Sequence, residues 1–215
     1  MPLDAKLQRR FEARLANIVL PDPAGPRLVG DADRLLAQCR LILLANPTLA
    51  DPLHAGLLDD AALHTICLAV QLPLTVPQSK SVGKLGIIPL RERCEQSARL
   101  LVEDMGESFD ETLLDRSVRI LLEIPQKSPV PDEARLLADA INLEDFGTSG
   151  VLLQAVRLAT TGLGIREVLQ AFDQRERYGY WEARLHEGFH FKHSRHLAQQ
   201  RLADARRFIA SLRAE

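Results

Sequence analysis

The feature that most constrains this chain is a carboxylate placed among apolar residues at helical spacing. Asp139 lies in a segment where Ala134, Leu137 and Ile141 fall on one face of a helix. Burying a charged carboxylate costs free energy unless a partner binds it. The fold therefore has to give Asp139 hydrogen-bond donors, such as a neighbouring helix end, Asn142 or an arginine, or else a metal ion or a proton.

Helical periodicity continues along most of the sequence, and prolines and glycines separate the helical segments. Runs that alternate apolar and polar residues between turn signals, as strands do, are absent from it. We predict an all-α fold, an irregular bundle of about nine helices. A length of 215 residues fits a single domain over 1–215, with an amphipathic helix within 1–20 and a long basic loop at 73–89.

Short polar residues mark several predicted helix starts. Ser, Thr, Asp and Asn stabilise helix N-termini because their side chains accept hydrogen bonds from free backbone amides. The predicted starts are Asp31, Asp59 or Asp60, a capping box from Ser108 to Glu111, Ser149 and Ser194. Prolines at 47, 73 and 125 mark predicted helix ends.

The composition argues against two classes of partner. A net charge of -2 gives no overall positive field to attract nucleic acid or an anionic membrane, and aromatic residues, which stack on bases, make up only 5%. No apolar run reaches the roughly 18 residues of a membrane span, and the charged N-terminus carries no secretory signal. Cys39, Cys67 and Cys94 lie at apolar helical positions without metal-ligand spacing. We therefore expect a cytoplasmic protein with reduced thiols and neither nucleic-acid nor membrane partners.

The stretch that begins at Asp139 has a distinctive spacing. It reads Asp139-Ala-Ile-Asn-Leu-Glu-Asp-Phe-Gly-Thr-Ser-Gly150. This resembles the final motif of the HD superfamily of metal-dependent phosphohydrolases, in which Asp-Ala-Asp-Arg-Leu-Asp-x-x-Gly-x-x-Gly is typical. The matching residues are Asp139, Leu143, Gly147 and Gly150, with Glu144 as a conservative match, whereas Ile141 and Asn142 replace an aspartate and an arginine.

The resemblance extends more loosely over residues 30–212. It includes the helix at 91–101, which is similar to the one that follows the His-Asp doublet of the family, and the tail after Glu176. It implies an all-α core and a divalent metal ion (Mn, Fe, Ni or Mg) that binds phosphate and activates water. In the family the ligands are an early histidine, the His-Asp doublet and a late aspartate, which is Asp139 here.

Two alignments of the doublet stay open. In one, His64 matches the histidine and Thr65 replaces the aspartate. In the other, Gln71-Leu72 occupies the doublet, and neither ligand is present. No histidine stands where the family has its early ligand. The resemblance therefore implies a metal site with fewer protein ligands than the family has. These ligands are Asp139 and, in the first alignment, His64.

A second set of candidate metal ligands lies near the C-terminus. His186, His190 and His193 are spaced by four and three residues, which places them on one side of a helix if the segment is helical. The alternative is a polar bend before the last helix, since Gly188 interrupts the pattern.

The loop at 73–89 is a candidate phosphate site. It contains Lys80 and Lys84 among glycines, and Arg91 follows it. Glycines let backbone amides approach an anion, and the cationic side chains add charge. The order of residues differs from that of a Walker-type loop, so the alternative is a solvated loop without a ligand.

Three functions remain open at this point. The first is a degenerate HD-like domain that binds a small phosphorylated ligand or has a regulatory role in a remnant metal and phosphate cleft. The second is a metal-dependent phosphohydrolase acting on a nucleotide or phosphate ester, with Asp139 and substitutes such as Asp33, His64 or Glu123 as ligands. The third is a helical interaction module whose N-terminal helix packs on a partner or on a second copy as a homodimer.

Overall fold

The computed structural model describes residues 5–16, 28–46, 49, 59–75, 88–159 and 162–215. Within these ranges the chain forms ten α-helices and two short 3₁₀-helices, and no strand occurs in them. The all-α prediction is therefore confirmed. In the same part of the chain, no helix combines the length and the apolar character needed to cross a membrane.

Ten α-helices follow one another along the described part of the chain. They are α1 (Ala5–Leu15), α2 (Leu28–Leu44), α3 (Asp60–Ala69), α4 (Leu90–Met105), α5 (Glu111–Glu123), α6 (Asp132–Glu144), α7 (Gly147–Ala159), α8 (Ile165–Arg177), α9 (Tyr180–Glu187) and α10 (Lys192–Ala214). The 3₁₀-helices are Leu72–Thr75 and Gly106–Ser108.

The chain divides into two compact units, 1–137 and 138–215, and the boundary falls inside α6. The first unit contains α1 to α5 and the first part of α6. The second contains the rest of α6 and α7 to α10. The single domain over 1–215 stays a prediction.

Helix α1 is held within the first unit by both its apolar and its polar face. Its apolar side chains, Leu7, Phe11 and Leu15, are buried, and it packs on α2 and on the 3₁₀-helix Leu72–Thr75. On the polar face, Arg14 Nε donates to Asp104 Oδ2 at 2.7 Å. The predicted amphipathic helix within 1–20 is present as Ala5–Leu15, and residues 1–4 and 17–20 lie outside the described part of the chain.

An arginine stabilises the C-terminal end of α3. Arg93 of α4 donates from Nε to Val70 O at 2.8 Å and from Nη2 to Gln71 Oε1 at 2.8 Å. Cations are favourable at helix C-termini because the last carbonyls are unpaired there. At the other end, Asp59 accepts from the Ala62 amide, so the predicted start of this helix is confirmed.

The second unit has an aromatic core. The Phe146 ring centroid lies 5.2 Å from that of Trp181 and 5.5 Å from that of Phe189, and the rings are tilted. Phe172 also packs on Trp181, at 5.7 Å. Tilted aromatic pairs at these distances contribute about 1 kcal/mol each beyond the burial of their area. Together they link the segment after α6 to α8 and α9.

Several predicted helix starts were wrong. Helix α2 begins at Leu28 rather than at Asp31. The N-cap of α5 is Asp110, which accepts from the Leu113 amide at 3.2 Å; Ser108 instead belongs to a 3₁₀-helix and accepts from Arg10. Helices α7 and α10 begin two residues before the serines predicted to cap them.

Candidate functional site

Asp139 caps the N-terminus of α10 from a different helix. Its side chain is fully buried, at 0% exposure. Oδ1 accepts from the His190 backbone amide at 2.8 Å, and Oδ2 accepts from the Phe191 amide at 3.0 Å. These amides directly precede Lys192, the first residue of α10. A carboxylate at a helix N-terminus pairs free amides and complements the helix dipole. We call this arrangement the Asp139 junction.

Two features of the surroundings of Asp139 shift its pKa in opposite directions. Burial raises the pKa of Asp139 above its ordinary value, while the amide hydrogen bonds from His190 and Phe191 oppose that rise. Among the described residues, no lysine or arginine forms an ion pair with this carboxyl. Of the roles predicted for Asp139, the cap of a neighbouring helix is therefore confirmed.

Asn142 and Asp145 extend the junction to the end of α9. Asn142 Nδ2 donates to Gly188 O. Arg184 Nη2 donates to Asn142 Oδ1 at 2.6 Å and to Asp145 Oδ2 at 3.1 Å. Asn142 therefore joins the end of α6 to the end of α9.

The two glycines of the motif are required by close packing. Gly147 has φ +86°, and a Cβ there would lie 3.2 Å from Arg201 Cβ. A Cβ on Gly150 would lie 2.3 Å from the backbone oxygen of Asp145. No side chain fits at Gly150 without a backbone shift, and φ +86° disfavours any residue but glycine at Gly147. Helix packing therefore accounts for both glycines.

His64 lies beside a carboxylate in the first unit. Its Nε2 is 2.9 Å from Asp33 Oδ1, and the two side chains are 19% and 60% exposed. The structure thus brings together two residues that the sequence proposed as metal ligands. Thr65 Oγ1 donates to Ala61 O within α3, and Gln71 Oε1 accepts from Arg93 just after the end of that helix, so both residues have partners in the first unit.

The three C-terminal histidines do not share one helix. His186 lies in α9, His190 in the connection after it, and His193 in α10. The helix ends at Gly188, where a Cβ would lie 2.6 Å from Arg184 O. The predicted alternative, a bend before the last helix, is what the structure has. In the described part of the chain, no group of three or more His, Cys, Asp or Glu side chains is arranged to hold a metal ion.

The predicted phosphate loop falls largely on residues that are not described. Lys80 and Lys84 lie outside the described ranges. Arg91 is exposed in the first turn of α4. The phosphate role of this loop stays a prediction.

The second unit also contains a cluster of side chains that was not predicted from the sequence. It consists of Arg175, Tyr180 and Arg184, and we call it the arginine–tyrosine cluster. Arg175 Cζ lies 5.2 Å from the Tyr180 ring centroid and 5.4 Å from that of Trp181. Arg184 Cζ lies 5.6 Å from the Tyr180 centroid. The signal available was the spacing of four residues between Tyr180 and Arg184, which brings side chains together on a helix.

Comparison of the chain with family models, with curated proteins and with solved structures found no match in any of the three. The function therefore has to be inferred from the geometry of the Asp139 junction, the His64–Asp33 pair and the arginine–tyrosine cluster.

Proposed function

We propose that this chain is a degenerate HD-like helical domain that binds a small phosphorylated ligand, or acts in regulation, without hydrolysing phosphate esters. The observation that carries the proposal is the Asp139 junction. Both carboxylate oxygens accept backbone amides, and the side chain has no solvent exposure. A catalytic metal keeps an open position for water or substrate, and a fully enclosed carboxylate leaves no room for one.

The number of available ligands supports the same proposal. A dedicated transition-metal site uses three or more protein ligands. His64 and Asp33 provide one imidazole and one carboxylate, and no third ligand-type group completes a site among the described residues. An isolated pair of this kind would hold a divalent ion weakly.

The packing of the N-terminal helix argues against the alternative that the chain is a helical interaction module. That alternative used the apolar face of the N-terminal helix as the docking surface. Leu7, Phe11 and Leu15 are buried against the first unit itself, so this face is already occupied. A partner or a second copy would need a different surface, and binding of a small ligand is the better-supported function.

Metal content and turnover test the proposal together. The untagged protein is loaded with Mn, Fe or Ni, freed of excess metal, and assayed by elemental analysis and with a panel of phosphate esters. Wild type, Asp139→Asn and His64→Ala are compared. Asp132→Asn, which changes a half-exposed carboxylate on the same helix as Asp139, is the matched control. We expect far less than one ion per chain and no turnover in all four proteins.

One pattern would overturn the proposal. It is about one metal ion per chain with measurable hydrolysis, both retained in Asp132→Asn and both lost in Asp139→Asn or His64→Ala. That result would identify a working phosphohydrolase with a rearranged ligand set.

A further inference from the structure

Arg175 is a half-buried cation, and no carboxylate among the described residues pairs with it. It contacts the rings of Tyr180 and Trp181 and forms no ion pair or hydrogen bond within the described part of the chain. Other arginines of the second unit are paired: Arg206 with Glu176 at 2.8 Å, and Arg213 with Asp173. The two rings fix the Arg175 guanidinium in place, which lowers the entropy cost of binding an anion there.

The cluster carries an excess of positive charge. Arg175 and Arg184 contribute two guanidinium groups, and the one carboxylate that contacts the cluster within the described ranges is Asp145, 3.1 Å from Arg184 Nη2. Asp145 Oδ2 also lies 3.5 Å from the Tyr180 hydroxyl. This carboxylate opposes an incoming anion, but it offsets only one of the two cations. The local balance therefore favours an anionic ligand.

Two buried donors, one in the cluster and one on a ring that contacts it, lack an acceptor among the described residues. They are Arg184 Nε and the indole Nε1 of Trp181. Trp181 is almost completely buried, at 2% exposure. Buried polar groups without a partner are rare in folded proteins, and the partner of such a group can be a water molecule, an ion or a ligand. This observation is independent of the charge balance.

We propose that the arginine–tyrosine cluster binds a phosphate group, with Arg175 as the principal ligand and Arg184 and the Tyr180 hydroxyl as supporting donors. Phosphate fits because a guanidinium presents a planar fork of donors that matches phosphate oxygens. The inference deepens the proposed function by giving the phosphorylated ligand a location. The phosphate can be inorganic or part of an ester, and the experiment separates the two.

Trp181 makes the site directly observable. It is the only tryptophan in the sequence, and its ring contacts Arg175. The full chain is titrated with inorganic phosphate, and separately with glycerol phosphate, at constant ionic strength while tryptophan emission is recorded. Isothermal titration calorimetry gives the affinity without relying on the fluorophore. We expect saturable binding by wild type, and the tighter of the two ligands identifies the source of the phosphate.

Two matched variants decide which side chain is responsible. Arg175→Gln removes the charge, and Arg177→Gln removes an exposed arginine two residues further along the same helix. We expect Arg175→Gln to weaken binding at least about tenfold, as loss of a charge-assisted contact does, and Arg177→Gln to bind like wild type. Thermal unfolding of Arg175→Gln shows that the variant is folded.

Three results would overturn the inference: no saturable binding by wild type, equal affinity of Arg175→Gln and wild type, or an equal loss in Arg177→Gln. Failure here is distinct from failure of the proposed function. Hydrolysis of glycerol phosphate would reject a non-catalytic role and leave the binding site intact. Absence of both binding and turnover would reject the site alone.

Discussion

Asp139 and His64 are both side chains of metal-ligand type on helices, and the structure gives them opposite surroundings. Asp139 is fully buried, and each of its oxygens accepts a backbone amide. His64 is partly exposed, and its contact is a carboxylate, Asp33, that is mostly exposed. Burial with complete pairing makes a side chain essential to the fold, whereas a contact near solvent contributes little to stability.

Because Asp139 is the more buried and better paired of the two side chains, we expect Asp139→Ala to cause the largest loss of stability. The substitution leaves the part-buried His190 and Phe191 amides without their acceptors and removes the cap of the longest helix in the described chain. We expect a loss of about 3 kcal/mol in the free energy of unfolding, because two part-buried backbone donors lose their acceptors. Denaturant unfolding followed by circular dichroism measures it.

Asp132→Asn on the same helix is the control for this loss, because its carboxylate is half-exposed and pairs with Arg135 near solvent. It should change stability by less than about 0.5 kcal/mol. A loss below about 1 kcal/mol in Asp139→Ala would mean that the junction is not a structural centre.

Gly150→Ala tests the packing part of the same junction. A Cβ at this position lies 2.3 Å from Asp145 O, so the start of α7 must shift away from the end of α6. We expect a loss of about 2 kcal/mol, typical of overpacking, measured by thermal unfolding.

Gly164→Ala provides the comparison for Gly150→Ala. Its Cβ would meet only the Glu167 carboxylate, at 3.8 Å, so stability should fall by less than about 1 kcal/mol, the cost of alanine in place of glycine at the N-cap of α8. Equal effects of the two substitutions would show that the close approach at Gly150 is not what destabilises α7.

Helix content was predictable from the sequence because apolar spacing and proline positions depend on local chemistry. The amphipathic helix predicted within 1–20 is present as Ala5–Leu15. Helix starts were less predictable where two cap residues compete. Asp110 and Ser108 both suit an N-cap, and Ser108 instead accepts from Arg10, a residue far away in sequence.

The candidate site, like the helix starts, could be predicted from the sequence only in part. That Asp139 needs a partner followed from its apolar neighbours, and a helix end was one of the predicted partners. Which helix provides it depends on a contact 51 residues away in sequence, at His190, which no local pattern contains. The arginine–tyrosine cluster likewise depends on a turn between α8 and α9, where Gly179 has φ +64°.

Cys94 extends the comparison to a buried ionisable group in an apolar setting. Burial raises the pKa of its thiol to about 12. Because the folded pKa lies above the unfolded value, the stabilisation is complete below the unfolded pKa of about 9 and is lost as the pH rises towards 12. We expect wild-type stability to fall by up to about 1.4 kcal/mol per pH unit in that range.

Cys94→Ala removes the titrating thiol and should remove that part of the alkaline slope, although the smaller side chain lowers stability at every pH. Unfolding free energies measured between pH about 8 and 11 provide the test. Parallel curves for the two proteins would mean that Cys94 ionises as easily in the folded state as in the unfolded state.

The smallest effect is expected at the His64–Asp33 pair. Solvent screens a contact in which one partner is 60% exposed, so a double-mutant cycle with His64→Ala and Asp33→Ala should give a coupling of about 0.5 kcal/mol that decreases with salt. Arg40 and Asp60 form an exposed pair between the same two helices, and their cycle is the internal reference. A coupling at His64–Asp33 above about 2 kcal/mol would place it with buried, fully paired groups, and the contrast with Asp139 would then no longer hold.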